Sequence, residues 1–317
     1  MKLLFELSGE HPGLPAAELE CVGRVVDRAC QVAVADVPDP AAASRLSLTH
    51  VVMEYLGECR ADREAVAGML NELALASEVP FAARVKKIQG TAIAASQLDL
   101  ERLLGTCIAG PVSLSRPAAE YRLVCSGERC FLGRVLFRTD RGSYAYRNPM
   151  RRPFFHPGVM MPILARALVN LSRAGAGERL FDPFCGTGGV LLEGRLLGME
   201  VLGSDMDPAM LAGCRANLPD AELMRADATD LPLRDGSVDA VVTDLPYGQS
   251  VCIRGSDMDR LYDASLAEIR RVLRPGRRAV VVTHRDIGAH AGNYFRSAAA
   301  FEQRVHKSLT RRILVLE

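Results

Sequence analysis

The stretch RLFDPFCGTGGVLLEG, residues 179–194, decides the fold. An apolar run, Arg179–Phe181, leads to Asp182, and Gly186, Gly188 and Gly189 open a helical pattern that continues to Leu197. Glycines let a backbone approach a ligand and adopt turns closed to other residues. The start of the helix offers unpaired N–H groups to a carboxylate or phosphate. Taken alone, a tight strand–helix turn accounts for the glycines equally well, so the neighbouring segments have to arbitrate. Downstream, short apolar runs recur at Glu200–Gly203, Glu222–Arg225, Val238–Val242 and Ala279–Thr283. Between them lie helical patterns at Met210–Asn217 and Leu261–Val272, the second stopped by Arg-Pro-Gly at 274–276. Strands alternating with helices predict a mostly parallel, doubly wound α/β sheet. Two closing strands, Phe301–Val305 and Arg312–Leu316, flank HKSLT, a turn that lets the last strand run antiparallel.

Acids mark the strand ends. VLGSDMDP puts Asp205, followed by Met206, where a carboxylate can hold two ribose hydroxyls. RADA puts Asp227, followed by Ala228, where an adenine amino group can be met. The glycines are too closely spaced for the GxGxxG order of a dinucleotide site. An acid before the loop, in Asp182-Pro183, suits a ligand carrying an amine and a sulfonium, so S-adenosylmethionine is the expected cofactor. Its binding set is Asp182, Pro183, Gly186, Gly188, Asp205, Met206, Asp227, Ala228 and Asp244.

The fourth strand ends in TDLPYGQS, residues 243–250. An exocyclic amine on a base is a poor nucleophile because its lone pair is delocalised into the ring. Asp244 accepting one N–H and the Leu245 carbonyl the other would draw that nitrogen toward tetrahedral geometry. Pro246 stiffens the turn, and Tyr247 can stack on the ring, a contact worth ~1–3 kcal/mol. Asp244, Leu245, Pro246 and Tyr247 are therefore the candidate catalytic residues, acting by positioning and electrostatics.

A chain of 317 residues accommodates two or three domains. It has no apolar run near the ~18 residues of a membrane span, and its start lacks a signal peptide's layout. Nine cysteines without a CxxC pair point to reduced thiols in the cytoplasm and to no metal site, Cys125 and Cys130 being the nearest pair. The net charge of +1 is unevenly spread. Residues 1–83 carry 6 Lys/Arg and 13 Asp/Glu, residues 84–152 carry 13 and 5, residues 153–265 carry 9 and 16, and residues 266–317 carry 11 and 4. Two basic segments suggest a polyanion, or else ordinary solvated arginines.

The first half reads as mixed α+β: a strand at Lys2–Leu7, a helix at Pro15–Asp27, a helical pattern over Ala61–Glu78, a strand at Phe81–Ile88 and a helix at Gln97–Ile108. AYRNPMRRPFFHPG, residues 145–158, reads as a linker.

The 244–247 block resembles the [D/N]-P-P-[Y/F] motif of amino-group methyltransferases, with Leu245 in place of the first proline, which implies a less stiff loop. HPGVMMPILARALVNLS, residues 156–172, is similar to the helix preceding the glycine loop in that fold. LFELSGEHPGLPAAELE, RLSLTH, FAARVKKIQG and VHKSLTRRILVL extend the resemblance along the whole chain to the archaeal tRNA guanosine-10 N2-methyltransferases. The resemblance implies a ferredoxin-like domain at 1–56, a THUMP RNA-binding domain at 57–146, a linker at 147–157 and a Rossmann-like methyltransferase domain at 158–317. It further implies methylation of the guanosine N2 amine in tRNA, once or twice, by a cytoplasmic monomer with or without a small activator protein. Arg84, Lys86, Lys87, Arg147, Arg151 and Arg152 are the candidate phosphate contacts. Arg270, Arg271, Arg274, Arg277 and Arg278 form a second run expected to line the catalytic side. Another tRNA guanosine, a ribosomal RNA guanosine or a catalytically inactive tRNA-binding relative remain as alternatives.

Overall fold

The computed structural model describes residues 1–140, 142–247, 255–306 and 309–317, and the side chains of all of these but 255, 256 and 306. Residues 248–250 of the TDLPYGQS block and 307–308 of the HKSLT turn lie outside the described residues. The chain divides into Met1–Thr139 and Asp140–Glu317.

In the first unit, strands β1 (Lys2–Leu7), β2 (Arg24–Ala29), β3 (Val32–Asp36), β4 (Thr49–Arg60), β5 (Phe81–Lys87), β6 (Ala119–Ser126) and β7 (Arg129–Arg138) form one sheet. Their order is β2-β3-β1-β4-β7-β6-β5. The helices are α1 (Leu14–Glu18), α2 (Arg63–Leu73) and α3 (Gln97–Cys107). β4 pairs with β1 near its start and with β7 over its length, so the expected 56/57 boundary falls inside a continuous strand. The helix expected over Pro15–Asp27 ends at Glu18, passes through a 3-10 turn at Leu19–Cys21, and gives way to β2. Two causes are visible. A Cβ on Gly23 would lie 2.4 Å from the Asp36 carbonyl oxygen, so the chain is pressed against β3 there. The β-branched pair Val25-Val26 also favours the pleated form. Glu18, fully buried, accepts from Ser47 N at 2.9 Å, Ser47 Oγ at 2.8 Å and Leu48 N at 2.9 Å, fixing the short helix to the chain before β4. α2 is capped by Asp62 and closes on Ala74 in the left-handed region (φ 43°), which shortens the 61–78 pattern.

The second unit contains α4 (Ser143–Tyr146), α5 (Pro162–Leu171), β8 (Arg179–Asp182), α6 (Gly189–Leu196), β9 (Glu200–Asp205), α7 (Pro208–Asn217) and β10 (Glu222–Arg225). β11 (Val238–Asp244), α8 (Gly255–Val272), β12 (Leu273–Thr283), α9 (Gly288–Gly292), β13 (Ser297–His306) and β14 (Leu309–Leu316) complete it. The order β10-β9-β8-β11-β12-β14-β13 makes a seven-stranded sheet. Its first five strands are parallel, and β14 runs antiparallel to both neighbours. Strand order reverses between β8 and β11, which opens a crevice at their carboxyl ends. Residues 238–243 of β11 are all buried, as a central parallel strand covered on both faces requires. α8 supplies one cover, packing Tyr262, Leu266 and Ile269 into the cluster with Val241 and Val281.

The segment expected to be a linker belongs to this unit. Phe154 N donates to Asn217 Oδ1 at 2.9 Å, and Asn217 Nδ2 donates back to the Phe154 carbonyl at 3.0 Å. The Phe154 ring occupies the space where a Cβ on Gly213 would stand, 2.2 Å from its nearest atom.

Candidate active site

The glycine loop leaves β8 through Asp182, whose side chain is buried. Its carboxyl accepts from Thr243 Oγ1 at 2.7 Å and Phe184 N at 3.1 Å. Burial outweighs both bonds and pushes its pKa up to about 7. Gly186 (φ 49°) and Gly188 (φ 82°) take left-handed backbone, and a Cβ on Gly188 would lie 2.6 Å from Cys214 Sγ of α7. This loop is held by Asp205, whose two oxygens accept from Gly186 N and Asp207 N, each at 2.9 Å. An ionised carboxylate has about four acceptor sites, so both oxygens retain capacity for hydroxyl donors. Asp227 is exposed and accepts from Thr229 N at 2.9 Å and Thr229 Oγ1 at 2.8 Å. Pro183 carries a carbonyl that accepts from Ser204 Oγ at 3.2 Å. Met206 is exposed and Ala228 is buried.

Across the switch point, Asp244 ends β11. Burial pushes its pKa up to about 6, against the opposing pull of the Tyr247 hydroxyl bond and the Arg311 charge. Tyr247 donates from its hydroxyl to Asp244 Oδ1 at 2.8 Å. The same phenol, raised well above its ordinary value by burial, lies with its ring centroid 4.8 Å from that of His284. Leu245 is buried, and its N–H donates to the Val282 carbonyl at 2.9 Å. A proline there could not make that bond. The departure from the resembled motif thus adds one backbone hydrogen bond between the turn and β12. The Pro246 carbonyl is fixed in turn by the Tyr262 hydroxyl of α8 at 2.7 Å.

A cavity of about 750 Å³ joins the two halves of the site. Asp182, Cys185, Gly186 and Thr187 line one end, Asp244–Tyr247 the other, and His156–Met161 a side wall. Val305, Leu309 and Arg311 complete the wall from the β13–β14 hairpin. Nothing in the sequence reading assigned Arg311 or His284 to the site, because only strand pairing brings them to the end of β11. Pro183, Gly188, Asp205, Met206, Asp227 and Ala228 do not line this cavity; of these, Asp205 reaches it through its bond to Gly186.

The basic candidates separate into distinct groups. Lys86 and Arg151 are exposed. Lys87 donates from Nζ to the carbonyls of Ile93 and Ala95, at 3.0 and 3.1 Å, and Arg84 to those of Ala83 and Leu114. Arg147 is buried and donates to Glu193 Oε2 at 2.8 Å, so it serves the interior of the fold, where no phosphate reaches. Arg166 joins the same carboxylate oxygen at 2.7 Å. Arg152 is half-buried, bonding the Arg147 carbonyl through Nε at 3.0 Å, and burial lowers its pKa. The second basic run is also reassigned. Arg271 pairs with Glu268 and Asp235, Arg274 with Asp239, Arg277 with Glu178, and Arg278 with Glu317. These ion pairs sit at the starts of β8, β11 and β12, the edge of the sheet opposite the cavity.

A parallel sheet with an antiparallel seventh strand, a glycine loop after its first strand, and an Asp-Leu-Pro-Tyr turn after its fourth define a class I methyltransferase of the amino-group type. Residues 149–313 match the model of the RMKL-like methyltransferase domain. A tRNA (guanine(10)-N2)-dimethyltransferase of Methanothermobacter thermautotrophicus is 35% identical, with 100% of this chain and 99% of the relative aligned. One of the same name from Pyrococcus abyssi is 30% identical over 98% of each. The crystal structure of TrmN from Thermus thermophilus superposes with a TM-score of 0.55 at 25% identity, covering 100% of this chain and 99% of that one. The chain belongs to the RMKL-like methyltransferase family that includes the archaeal tRNA (guanine(10)-N2)-dimethyltransferases. Its cofactor is S-adenosylmethionine.

Proposed function

We propose that this chain transfers methyl groups from S-adenosylmethionine to the N2 amine of guanosine in tRNA, at position 10. One observation carries the reading: a single cavity holds the Asp182–Gly186 loop and the Asp244–Tyr247 turn. The two aligned archaeal relatives, which carry this activity in their names, favour position 10 over the guanosine-6 activity of a Thermus thermophilus relative, 31% identical over 89% of this chain.

The residues present fit the cofactor. Asp182 is a buried acid whose raised pKa marks a carboxylate in need of a cation. Gly186 brings bare backbone to the cavity, Gly188 lets the loop close against Cys214 of α7, Asp205 retains acceptor capacity for ribose hydroxyls, and Asp227 lies beyond the next strand for the adenine. When bound, the cofactor supplies an electrophilic methyl on a sulfonium. Asp244 and the Leu245 carbonyl accept the two N–H groups of the target amine, so its lone pair is drawn out of conjugation. Asp244 then takes the proton that the nitrogen loses and releases it to water. Tyr247 fixes the base plane. These contributions are electrostatic and orientational. A base held in A-form RNA is hidden, so the target must be swung out of its stack.

Residues 57–146 would act as the THUMP module and 1–56 as the ferredoxin-like part of one RNA-binding unit, with Lys86 as a phosphate contact on it and Arg151 as one on the second unit. No helix among the described residues is long and apolar enough to cross a membrane, and we place the protein in the cytoplasm as a monomer. Among the described residues, those that line the cavity all belong to the second unit, and turnover can be measured with or without a small activator protein.

The test is mass mapping of nucleosides from unmodified tRNA incubated with the protein and labelled S-adenosylmethionine. N2-methylguanosine and N2,N2-dimethylguanosine at position 10 are expected. Label on adenosine, on a ring carbon or on no RNA would overturn the proposal.

A further inference from the structure

The β13–β14 hairpin contributes a charged residue to the reacting end of the cavity. Arg311 lies on β14, one position before Arg312, which pairs across the sheet with Thr283 of β12. This register carries Arg311 past the end of β12, next to His284 and the turn that follows β11. Its Nε donates to the Tyr247 hydroxyl at 3.4 Å, a long bond, and that hydroxyl donates to Asp244 Oδ1 at 2.8 Å. A cation, a phenol and a carboxylate thus stand in line along one wall. Val305 and Leu309 line the same cavity as Arg311.

We propose that Arg311 is a positioning residue for methyl transfer: through the Tyr247 hydroxyl it holds the Asp244 carboxylate in the orientation that accepts the target amine. This rests on the amine-methylation reading given above. The phenol would otherwise be free to rotate about its side-chain bonds and take the Asp244 oxygen with it. Anchored at the hydroxyl by Arg311 and flanked at the ring by His284, it keeps one orientation. The carboxylate must also be ionised to accept an N–H. Burial works against that, and the nearby guanidinium works for it. The other titratable groups around Asp244 do not substitute for Arg311. Asp182 on β8 is neutral in mildly acid solution and a like charge above it, Tyr247 and the Tyr262 of α8 are neutral phenols, and the imidazole of His284 is held toward its neutral form by burial. Arg285, also beyond β12, is placed 3.7 Å from Asp259.

The experiment compares Arg311→Met, Arg311→Lys and Arg312→Met by steady-state methyl transfer to tRNA across pH 5–9. S-adenosylmethionine affinity and thermal melting serve as checks on folding. For Arg311→Met the expected result is a ~10–100-fold fall in kcat, with KM for tRNA changed by less than about threefold. The acid limb of its kcat profile should move up by about one pH unit, because Asp244 loses its nearest cation. Arg311→Lys should return the limb to its wild-type position while leaving kcat reduced. Arg312→Met, which loses the pairs to Asp286 and Glu302, should leave the limb in place. In a Tyr247→Phe background the further loss on Arg311→Met should shrink, since the connection is already cut. A wild-type kcat and limb in Arg311→Met would overturn the proposal. So would a loss confined to KM for tRNA, the behaviour of a phosphate contact. Failure of the amine-methylation reading is distinct: there the wild-type protein itself would place no label on guanosine N2.

Discussion

Asp182→Asn isolates the buried acid at the head of the glycine loop. With its pKa pushed up to about 7 from an ordinary 3.8, the carboxyl is protonated in the folded chain through mildly acid pH. A cationic ligand beside it favours the ionised form, so binding below pH 7 must expel a proton. The affinity for S-adenosylmethionine should then weaken about tenfold for each pH unit below 7, or ~25-fold between pH 7.5 and 5.5. Isothermal titration calorimetry at pH 6, in two buffers of different ionisation enthalpy, should detect roughly 0.9 proton released per ligand bound. Asp182→Asn should bind more weakly at pH 7.5 and lose most of this pH dependence, keeping only what Asp244 contributes near pH 6. The same carboxyl sets a stability trend. A carboxyl raised in the folded state contributes stability below its unfolded pKa, and that contribution is lost as pH rises through the folded value. The loss amounts to ~4 kcal/mol for a pKa moved from 3.8 to about 7, and the variant should escape it. An affinity constant within twofold over this range, or equal proton release by wild type and variant, would refute the reasoning.

Other expectations follow from the buried pairs and the charge map. Glu193→Ala leaves Arg147 and Arg166 buried without the carboxylate they share at 2.8 and 2.7 Å. It should destabilise the second unit by ~3–5 kcal/mol in urea unfolding followed by circular dichroism, and a loss under about 1 kcal/mol would contradict the pairing. Lys86→Gln with Arg151→Gln should weaken tRNA binding and flatten its salt dependence by roughly 0.7–0.9 in log–log slope per lost contact, leaving cofactor affinity unchanged. Methyl transfer should fall as pH drops through about 6, where Asp244 gains a proton and can no longer accept both its partner and the amine.

The second unit was legible in the sequence because its central parallel strands are buried on both faces. Val238–Val242 and Ala279–Thr283 read as apolar runs whatever their neighbours, and each functional acid stands at the end of one. The helix over Pro15–Asp27 misled because its apolar spacing fits either period, and the deciding contact, Gly23 against Asp36, joins residues of different elements. The arginines were harder for the same reason. Arg147 reads like Arg151 in sequence, and only the fold gives it Glu193. Likewise, a basic run at 270–278 gives no sign that acids from the starts of β8 and β11 await it. Arg311 and His284 left one faint trace: charged or aromatic residues at the tips of the two strands that flank the catalytic turn from the far side.

Asp244, as acceptor of the target amine, is the residue on which methyl transfer turns. The most direct test of that role is label transfer from S-adenosylmethionine to unmodified tRNA by Asp244→Ala, with tRNA and cofactor affinities measured on the same preparation. Transfer should be abolished while tRNA binding stays near the wild-type value. Undiminished labelling of guanosine N2 by this variant would contradict it.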